Sequence, residues 1–240
     1  MKKMLALAAR CSAVVLILLS TAACSYAQKL DGAWKMVATG TVETVCVIED
    51  GYFMQTTFDK TNKLFIATTG GTMKVNDNGS MDVTIEFNTS DSTWVGNSHT
   101  LSYKLENGQL LINVNGSEQA WQRIDDGKAA LAGNWRITAR EQNGQMNEMK
   151  PGPRKTLKIL SGTRFQWAAI NTDTKEFFGT GGGSYTFADG KYTENIEFFS
   201  RDNSRVGASL SFNGKVEGKR WHHSGKSSKG DPISEIWSRQ

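Results

Sequence analysis

The feature that most constrains the fold of this chain is an internal repeat. The stretch "DGAWKMV" at 31–37 and the stretch "AGNWRIT" at 132–138 share the pattern Gly-x-Trp-basic-apolar. Farther along, the two copies match at a spacing of 111 residues: "IEF" at 85–87 corresponds to "IEF" at 196–198, and both copies end in Trp-x-Arg. Self-similarity at one spacing predicts two copies of one structural unit.

Each copy has the composition of an all-β unit. The segment 80–88 alternates apolar and polar residues, so that Met81, Val83, Ile85 and Phe87 share one face. Asn-Gly and Asp-Gly turn signals separate such segments throughout both copies. We therefore expect about eight short strands per copy, joined as an antiparallel meander that closes into a β-barrel and leaves no exposed edge. A packed two-sheet sandwich is the alternative.

Residues 1–27 have the features of an export signal. A basic start (Lys2, Lys3 and Arg10) precedes an apolar run at 12–23, and Ser25 and Ala27 form a small-x-small cleavage site before Gln28. The expected domains are therefore the signal peptide, a first barrel at 28–126 and a second barrel at 127–240. Cys24 offers the alternative of lipoprotein processing. The protein is expected to be secreted or periplasmic, or else an outer-membrane lipoprotein anchored through Cys24.

Removal of the signal changes the bulk properties of the chain. The formal charge of +4 includes three cations of the signal, so the mature charge is +1. No basic patch remains to indicate a nucleic-acid partner. Cleavage after Ala27 leaves Cys46 as the single cysteine, which excludes an internal disulfide. Because Cys46 lies in the apolar run "TVCVIE", it is expected to be a small buried residue.

The ends of the two copies resemble those of the lipocalin and calycin superfamily. A Gly-x-Trp opens the first strand and an Arg stands near the end of the last strand. The likeness extends to the tandem lipocalin-like domains of uncharacterised secreted proteins from Gram-negative bacteria. It implies barrels in which the Trp closes one end and the Arg stacks on its ring. The residues that carry these roles are Trp34, Arg123, Trp135 and Arg239.

Motifs for catalysis or cofactor binding do not occur in the sequence. No cofactor is expected, and the adjacent His222 and His223 would point to opposite faces of a strand, which disfavours a metal site. The Gly-rich stretch 179–185 and its counterpart at 68–71 predict a bulge in each copy rather than a phosphate loop. The protein is therefore expected not to be an enzyme.

The interior of the second barrel is the best candidate for a ligand site. In the repeat alignment, Glu194 replaces Val83 on the inward face and His223 replaces Ile112, while aromatic residues replace smaller ones. Aromatic walls with a few polar groups are typical of small-ligand sites. The candidate ligand-binding residues are Phe165, Trp167, Phe177, Tyr192, Glu194, Phe198, Phe212 and His223.

The sequence thus predicts a secreted or surface-exposed, non-enzymatic protein that binds a small apolar or amphipathic ligand in its second barrel. One alternative is a protein–protein interaction module of the cell envelope, with both barrels packed solid. Another is an enzyme that uses Glu194 and His223 as acid and base. A membrane partner is expected only if Cys24 is lipidated, and the sequence leaves the oligomeric state open.

Overall fold

The computed structural model describes residues 30–227 and 229–240, which form almost entirely β-structure. The predicted signal peptide, with Cys24, lies outside the described residues. No helix among those residues is long and apolar enough to cross a membrane. The only helical elements described are two 3₁₀ turns, Ser92–Trp94 and Asn203–Arg205, which occupy matching places in the two copies.

The first copy is a closed antiparallel barrel of eight strands. Each strand pairs with the next along the chain, and β1 closes the barrel by pairing with β8. The strands are β1 (Gly32–Met36), β2 (Val42–Glu49), β3 (Tyr52–Asp59), β4 (Leu64–Val75), β5 (Ser80–Asn88), β6 (Ser98–Glu106), β7 (Gln109–Val114) and β8 (Ser117–Asp125).

The second copy is a second barrel with one extra strand. Pairing of β9 with β17 closes it, and β10 attaches to the far half of β9. The prediction of two tandem meander barrels with about eight strands each is therefore confirmed. The strands are β9 (Gly133–Gln142), β10 (Gln145–Glu148), β11 (Arg154–Leu160), β12 (Arg164–Asn171), β13 (Glu176–Ala188), β14 (Lys191–Phe199), β15 (Ser209–Glu217), β16 (Arg220–Lys226) and β17 (Pro232–Arg239).

A tryptophan fills the same end of each barrel. Trp34 and Trp135 are both 1% exposed. Their indole N–H groups donate to the carbonyls of Leu30 and Leu131, at 2.8 and 2.9 Å, so each ring is both buried and hydrogen-bonded. Glycine precedes each of them for a steric reason: a Cβ on Gly32 would lie 2.2 Å from the carbonyl oxygen of Asp125.

The arginines at the ends of the two barrels behave differently. Arg123 lies over the ring of Trp34, with its Cζ 4.0 Å from the ring centroid, as expected. Arg239 instead reaches across to the first barrel, where its Nε and Nη2 each donate to a carboxylate oxygen of Asp50 at 2.8 Å. The predicted stacking of Arg239 on Trp135 is therefore wrong: the carboxylate of the neighbouring barrel offers a bidentate partner.

The barrels pack against each other through the outer faces of β2–β5 and β11–β14. Aromatic contacts cross the boundary in both directions, with Phe58 against Phe198 at 5.0 Å and Phe87 against Phe177 at 6.0 Å between ring centroids. Polar contacts surround them; for example, the amide Nε2 of Gln166 donates to the Thr68 hydroxyl at 2.9 Å. This shared face is largely apolar and buried, so each barrel shields part of the other.

A β-bulge in β14 determines which side chains face the partner barrel. Gly183 pairs with Ile196 but Gly182 pairs with Phe198, so Glu197 is the extra residue. The bulge turns Phe198 to the outside, and the predicted inward position of Phe198 is wrong. A Cβ on Gly183 would lie 2.0 Å from the Asn195 carbonyl oxygen, which explains why glycine stands there.

The predicted inward position of Phe177 is also wrong, again because of a bulge. A bulge between β12 and β13 leaves Phe178 unpaired, because Ala169 pairs with Gly179 and Ile170 pairs with Phe177. Phe177 therefore packs with the apolar cluster between the barrels instead of inside the second barrel. Each added residue reverses the face of every side chain beyond it.

The extra residues of the second copy lengthen the hairpin between its first two strands. Asn143 and Gly144 both have positive φ (53° and 77°), the conformation of a tight two-residue hairpin turn. β10 then returns along β9. The side chains of Met146 and Met149 on this hairpin are exposed.

Candidate functional site

Both barrels contain a cavity, and the two cavities differ in size and chemistry. The cavity of the first barrel measures about 190 Å³ and that of the second about 550 Å³. The first is walled by apolar side chains, including Cys46, Val83 and Ile112. At the corresponding strand positions the second has Lys158, Glu194 and His223. The second barrel is therefore both more open inside and far more polar.

A buried ion pair lies on the inner wall of the second barrel. The Lys158 ammonium donates to a Glu194 carboxylate oxygen at 2.7 Å, and both side chains are 6% exposed. Four aromatic rings surround the ammonium at 5.1–5.8 Å from their centroids: Phe165, Tyr192, Trp221 and Trp237. Opposite charge and ring faces together offset the cost of burying these two groups.

A second charged pair lies closer to the cavity mouth. Arg140 donates through Nε and Nη2 to one oxygen of Glu235, at 3.1 and 2.6 Å. The other oxygen accepts the indole N–H of Trp237 at 3.1 Å. Burial alone would raise the pKa of Glu235, but His223 and Arg140 outweigh it and lower that pKa to about 2. Glu235 is therefore a fixed anion at neutral pH.

His223 is a buried group with unused hydrogen-bonding capacity, as are the Tyr192 hydroxyl and the Trp221 indole N–H. The residue is 2% exposed, and neither ring nitrogen has a hydrogen-bond partner within the described part of the chain. Its Nδ1 lies 3.6 Å from Glu235 Oε2, just beyond hydrogen-bonding distance. Burial lowers the pKa of His223, although the Glu235 carboxylate opposes this shift. The imidazole is therefore neutral at pH 7, with one donor and one acceptor nitrogen.

The predicted site residues divide into two groups. Six of them lie inside the second barrel: Phe165, Trp167, Tyr192, Glu194, Phe212 and His223. Phe177 and Phe198 lie between the barrels instead. Within the second barrel, Glu194 pairs with Lys158, whereas His223 lies beside Glu235. Burial, and to a smaller extent the Glu194 carboxylate, raises the pKa of Tyr192 well above its usual value, so this phenol stays protonated.

Several polar or aromatic residues of the cavity were missed from the sequence, among them Arg140, Lys158, Glu235 and Trp237. Lys158 is the most informative. It pairs with Trp135 on β9 as Cys46 pairs with Trp34 on β1, so the copies are offset by 112 residues here, not 111. The sequence did contain a signal for Lys158. Leu157 and Ile159 face the partner barrel, so alternation along the strand places the lysine between them on the inward face.

The first barrel has no comparable polar cluster. Its wall is mostly apolar, and the His99 ring, one of the few polar groups that line it, stacks on Trp94 with centroids 4.6 Å apart. Burial raises the pKa of the Cys46 thiol to about 12, so this cysteine is protonated and unreactive at neutral pH. Across residues 30–227 and 229–240 no group of three or more His, Cys, Asp or Glu side chains could hold a metal ion.

Fold and site together define a tandem of two closed antiparallel β-barrels, one with an apolar interior and one with a charged, partly hollow interior. Residues 130–240 are similar to the family described as a domain of unknown function (DUF4488). The fold is also similar to the crystal structure of the uncharacterized protein YLR301w from Saccharomyces cerevisiae. That similarity has a TM-score of 0.42 and 11% identity, and covers 87% of this chain and 97% of that one. No curated protein matches the sequence.

Proposed function

We propose that this protein is a non-enzymatic, lipocalin-like binding protein that acts outside the cytoplasm and holds a small amphipathic ligand in its second barrel. The observation that carries the proposal is the cavity of about 550 Å³ inside that barrel. Pockets of a few hundred cubic ångströms, with mostly apolar walls and a few placed polar groups, are the usual form of small-ligand sites.

The distribution of side chains supports an amphipathic ligand. Apolar and aromatic residues such as Trp167, Ile196 and Phe212 line the walls. The polar groups Lys158, Glu194 and His223 lie together on adjoining inner surfaces, so one part of a ligand would meet hydrocarbon and the other would meet hydrogen-bonding groups. The first barrel lacks this division and has about a third of the volume.

Two other functions are less well supported. An interaction module with solid barrels does not account for the hollow second barrel. Acid–base catalysis by Glu194 and His223 does not account for the Lys158 ammonium, which lies 2.7 Å from the Glu194 carboxylate and already occupies one of its oxygens.

The test is a cavity-filling substitution. We expect the neutral fluorophore N-phenyl-1-naphthylamine to bind saturably, and Ala169→Phe, which places a ring in the second cavity, to weaken binding at least tenfold. Ile112→Phe fills the first cavity and is the matched control, expected to leave binding unchanged; both residues line their respective cavities. Probe binding that survives Ala169→Phe, or that is lost in Ile112→Phe, would place the site elsewhere.

A further inference from the structure

The charges inside the second barrel are already matched with one another. Lys158 pairs with Glu194 at 2.7 Å, and Arg140 pairs with Glu235 at 2.6 Å. A ligand that brought another charge to the inner end of the cavity would have to lose its hydration without gaining a free counter-ion. Burial of an unpaired charge is strongly unfavourable in a protein interior. A neutral polar group avoids that cost.

Anionic ligands face an additional obstacle. Besides Glu194 and Glu235, the exposed residues Glu141 and Asp231 line the same cavity, so it has four carboxylates. Only Lys158 and Arg140 provide positive charge there. A carboxylate or phosphate ligand would therefore enter a cavity with an excess of negative charge, and like charges disfavour each other.

Of the buried groups in the described second barrel that lack a hydrogen-bond partner, His223 is the one that lines the cavity, so it can recognise a neutral head. Its Nδ1 side faces Glu235 Oε2 at 3.6 Å, and a carboxylate on that side favours the tautomer that carries the proton on Nδ1. The Nε2 lone pair is then an acceptor, and no described residue donates to it. A buried acceptor without a donor is costly, and a ligand donor would remove that cost.

We propose that the second barrel selects amphipathic molecules with an uncharged hydrogen-bond donor at the polar end, an alcohol or a primary amide, and that this donor binds His223 Nε2. The proposal rests on the proposed ligand-binding function and adds the chemical class of the ligand. The contact with Phe212, whose ring centroid lies 4.2 Å from that of His223, holds the imidazole in a fixed orientation.

The experiment compares three molecules with one tail: 4-phenylbutan-1-ol, 4-phenylbutyrate and 4-phenylbutylammonium. Calorimetric titration of the full chain at pH 7.5 should give an affinity for the alcohol at least tenfold above that for either ion. His223→Phe preserves ring packing and removes the acceptor, so it should weaken alcohol binding at least tenfold, which corresponds to about 1.4 kcal/mol. His222→Phe, at the neighbouring half-exposed residue, is the matched control and should bind as the parent does.

Several outcomes would overturn the proposal. Equal or tighter binding of the carboxylate or the ammonium would reject the neutral class, and unchanged alcohol affinity in His223→Phe would reject the role of His223. If His223→Phe does not fold, His223→Gln, which retains an acceptor, should keep part of the preference for the alcohol; loss of the preference with binding intact would again reject it. Failure of all three molecules, and of the fluorophore, would remove the proposed function itself.

Discussion

The two barrels have the same strand order and the same tryptophan closure, yet their interiors have opposite character. Three inward positions show the difference: Cys46, Val83 and Ile112 in the first barrel correspond to Lys158, Glu194 and His223 in the second. The strands around these positions pair alike in both barrels. The fold therefore depends on the closure and on the pairing of strands, and it tolerates either interior.

The comparison also separates what stabilises a barrel from what a barrel can bind. The first barrel buries mostly apolar side chains around its smaller cavity, which the hydrophobic effect favours directly. The second carries buried charges, which give little or no net stability even when paired. Groups that cost stability and line a cavity are characteristic of functional sites. This contrast points to the second barrel as the functional half of the molecule.

The largest expected effect comes from removing the inner cation. Lys158→Met leaves the Glu194 carboxylate buried without its partner, which should lower the free energy of unfolding by about 3–5 kcal/mol. The double variant Lys158→Met/Glu194→Val approaches the apolar interior of the first barrel and should recover most of that loss. Urea denaturation of both variants at pH 7, followed by tryptophan fluorescence, measures the difference.

A surface pair gives the control for this comparison. Lys215→Met removes the partner of Glu217, but the lysine side chain is 73% exposed, so the loss of stability should be much smaller than that caused by Lys158→Met. If the double variant were as unstable as Lys158→Met alone, the loss would come from packing around Lys158 and not from the unpaired carboxylate. Glu194→Val alone should also destabilise the protein, because it leaves the Lys158 ammonium unpaired.

Alternation along single strands was the part of the site that the sequence predicted well. Tyr192 and Glu194 lie on the same face because β14 has no irregularity between Lys191 and Asn195. The matching strands in the first barrel place Met81 and Val83 along its cavity in the same way. Within one unbroken strand, period two is enough to assign inward and outward residues.

Apolar–polar alternation could not predict the β-bulges or the change of one residue in the offset between the two copies. The paired glycines at 70–71 and 182–183 do signal a bulge, but the extra residue lies on the neighbouring strand, which the glycines do not identify. The run of three glycines at 181–183 also allowed two alignments of the repeat. Lys158 was not predicted to face inward because the repeat was aligned at 111 residues instead of 112 there, and a shift of one residue exchanges the two faces of a strand.

The second prediction concerns the residue that ends the second strand of the first barrel. This residue is Glu49, and the matching position in the second barrel has the neutral Ser161. Burial and the nearby Asp31, Asp50 and Asp125 carboxylates raise the pKa of Glu49 to about 9. Because this pKa is higher in the folded state, the folded protein keeps a proton that the unfolded chain has lost above about pH 4.5. Stability should therefore fall as pH rises toward 9, by up to about 1.4 kcal/mol per pH unit.

Glu49→Gln keeps the shape of the neutral carboxyl and cannot ionise, so it should remove this slope. Between pH 7 and 8.5 we expect the parent protein to lose about 2 kcal/mol relative to the variant, at 1.4 kcal/mol per pH unit for one proton. This range avoids His223, whose lowered pKa changes stability in the opposite direction and only at lower pH. Identical slopes for parent and variant would show that Glu49 is already ionised in the folded protein.

The smallest expected effect distinguishes the two arginines at the barrel ends. Arg123→Leu removes a guanidinium 4.0 Å above Trp34 and should cost about 0.5–2 kcal/mol, with little dependence on salt. Arg239→Leu removes a half-exposed pair with Asp50 and should cost about 0.2–1 kcal/mol, a loss that 1 M NaCl largely abolishes through screening. Lys128→Leu, at an exposed pair with Asp126, provides the baseline. A salt-independent cost for Arg239→Leu equal to that of Arg123→Leu would mean that both arginines stack on their tryptophans and that the two barrels close identically.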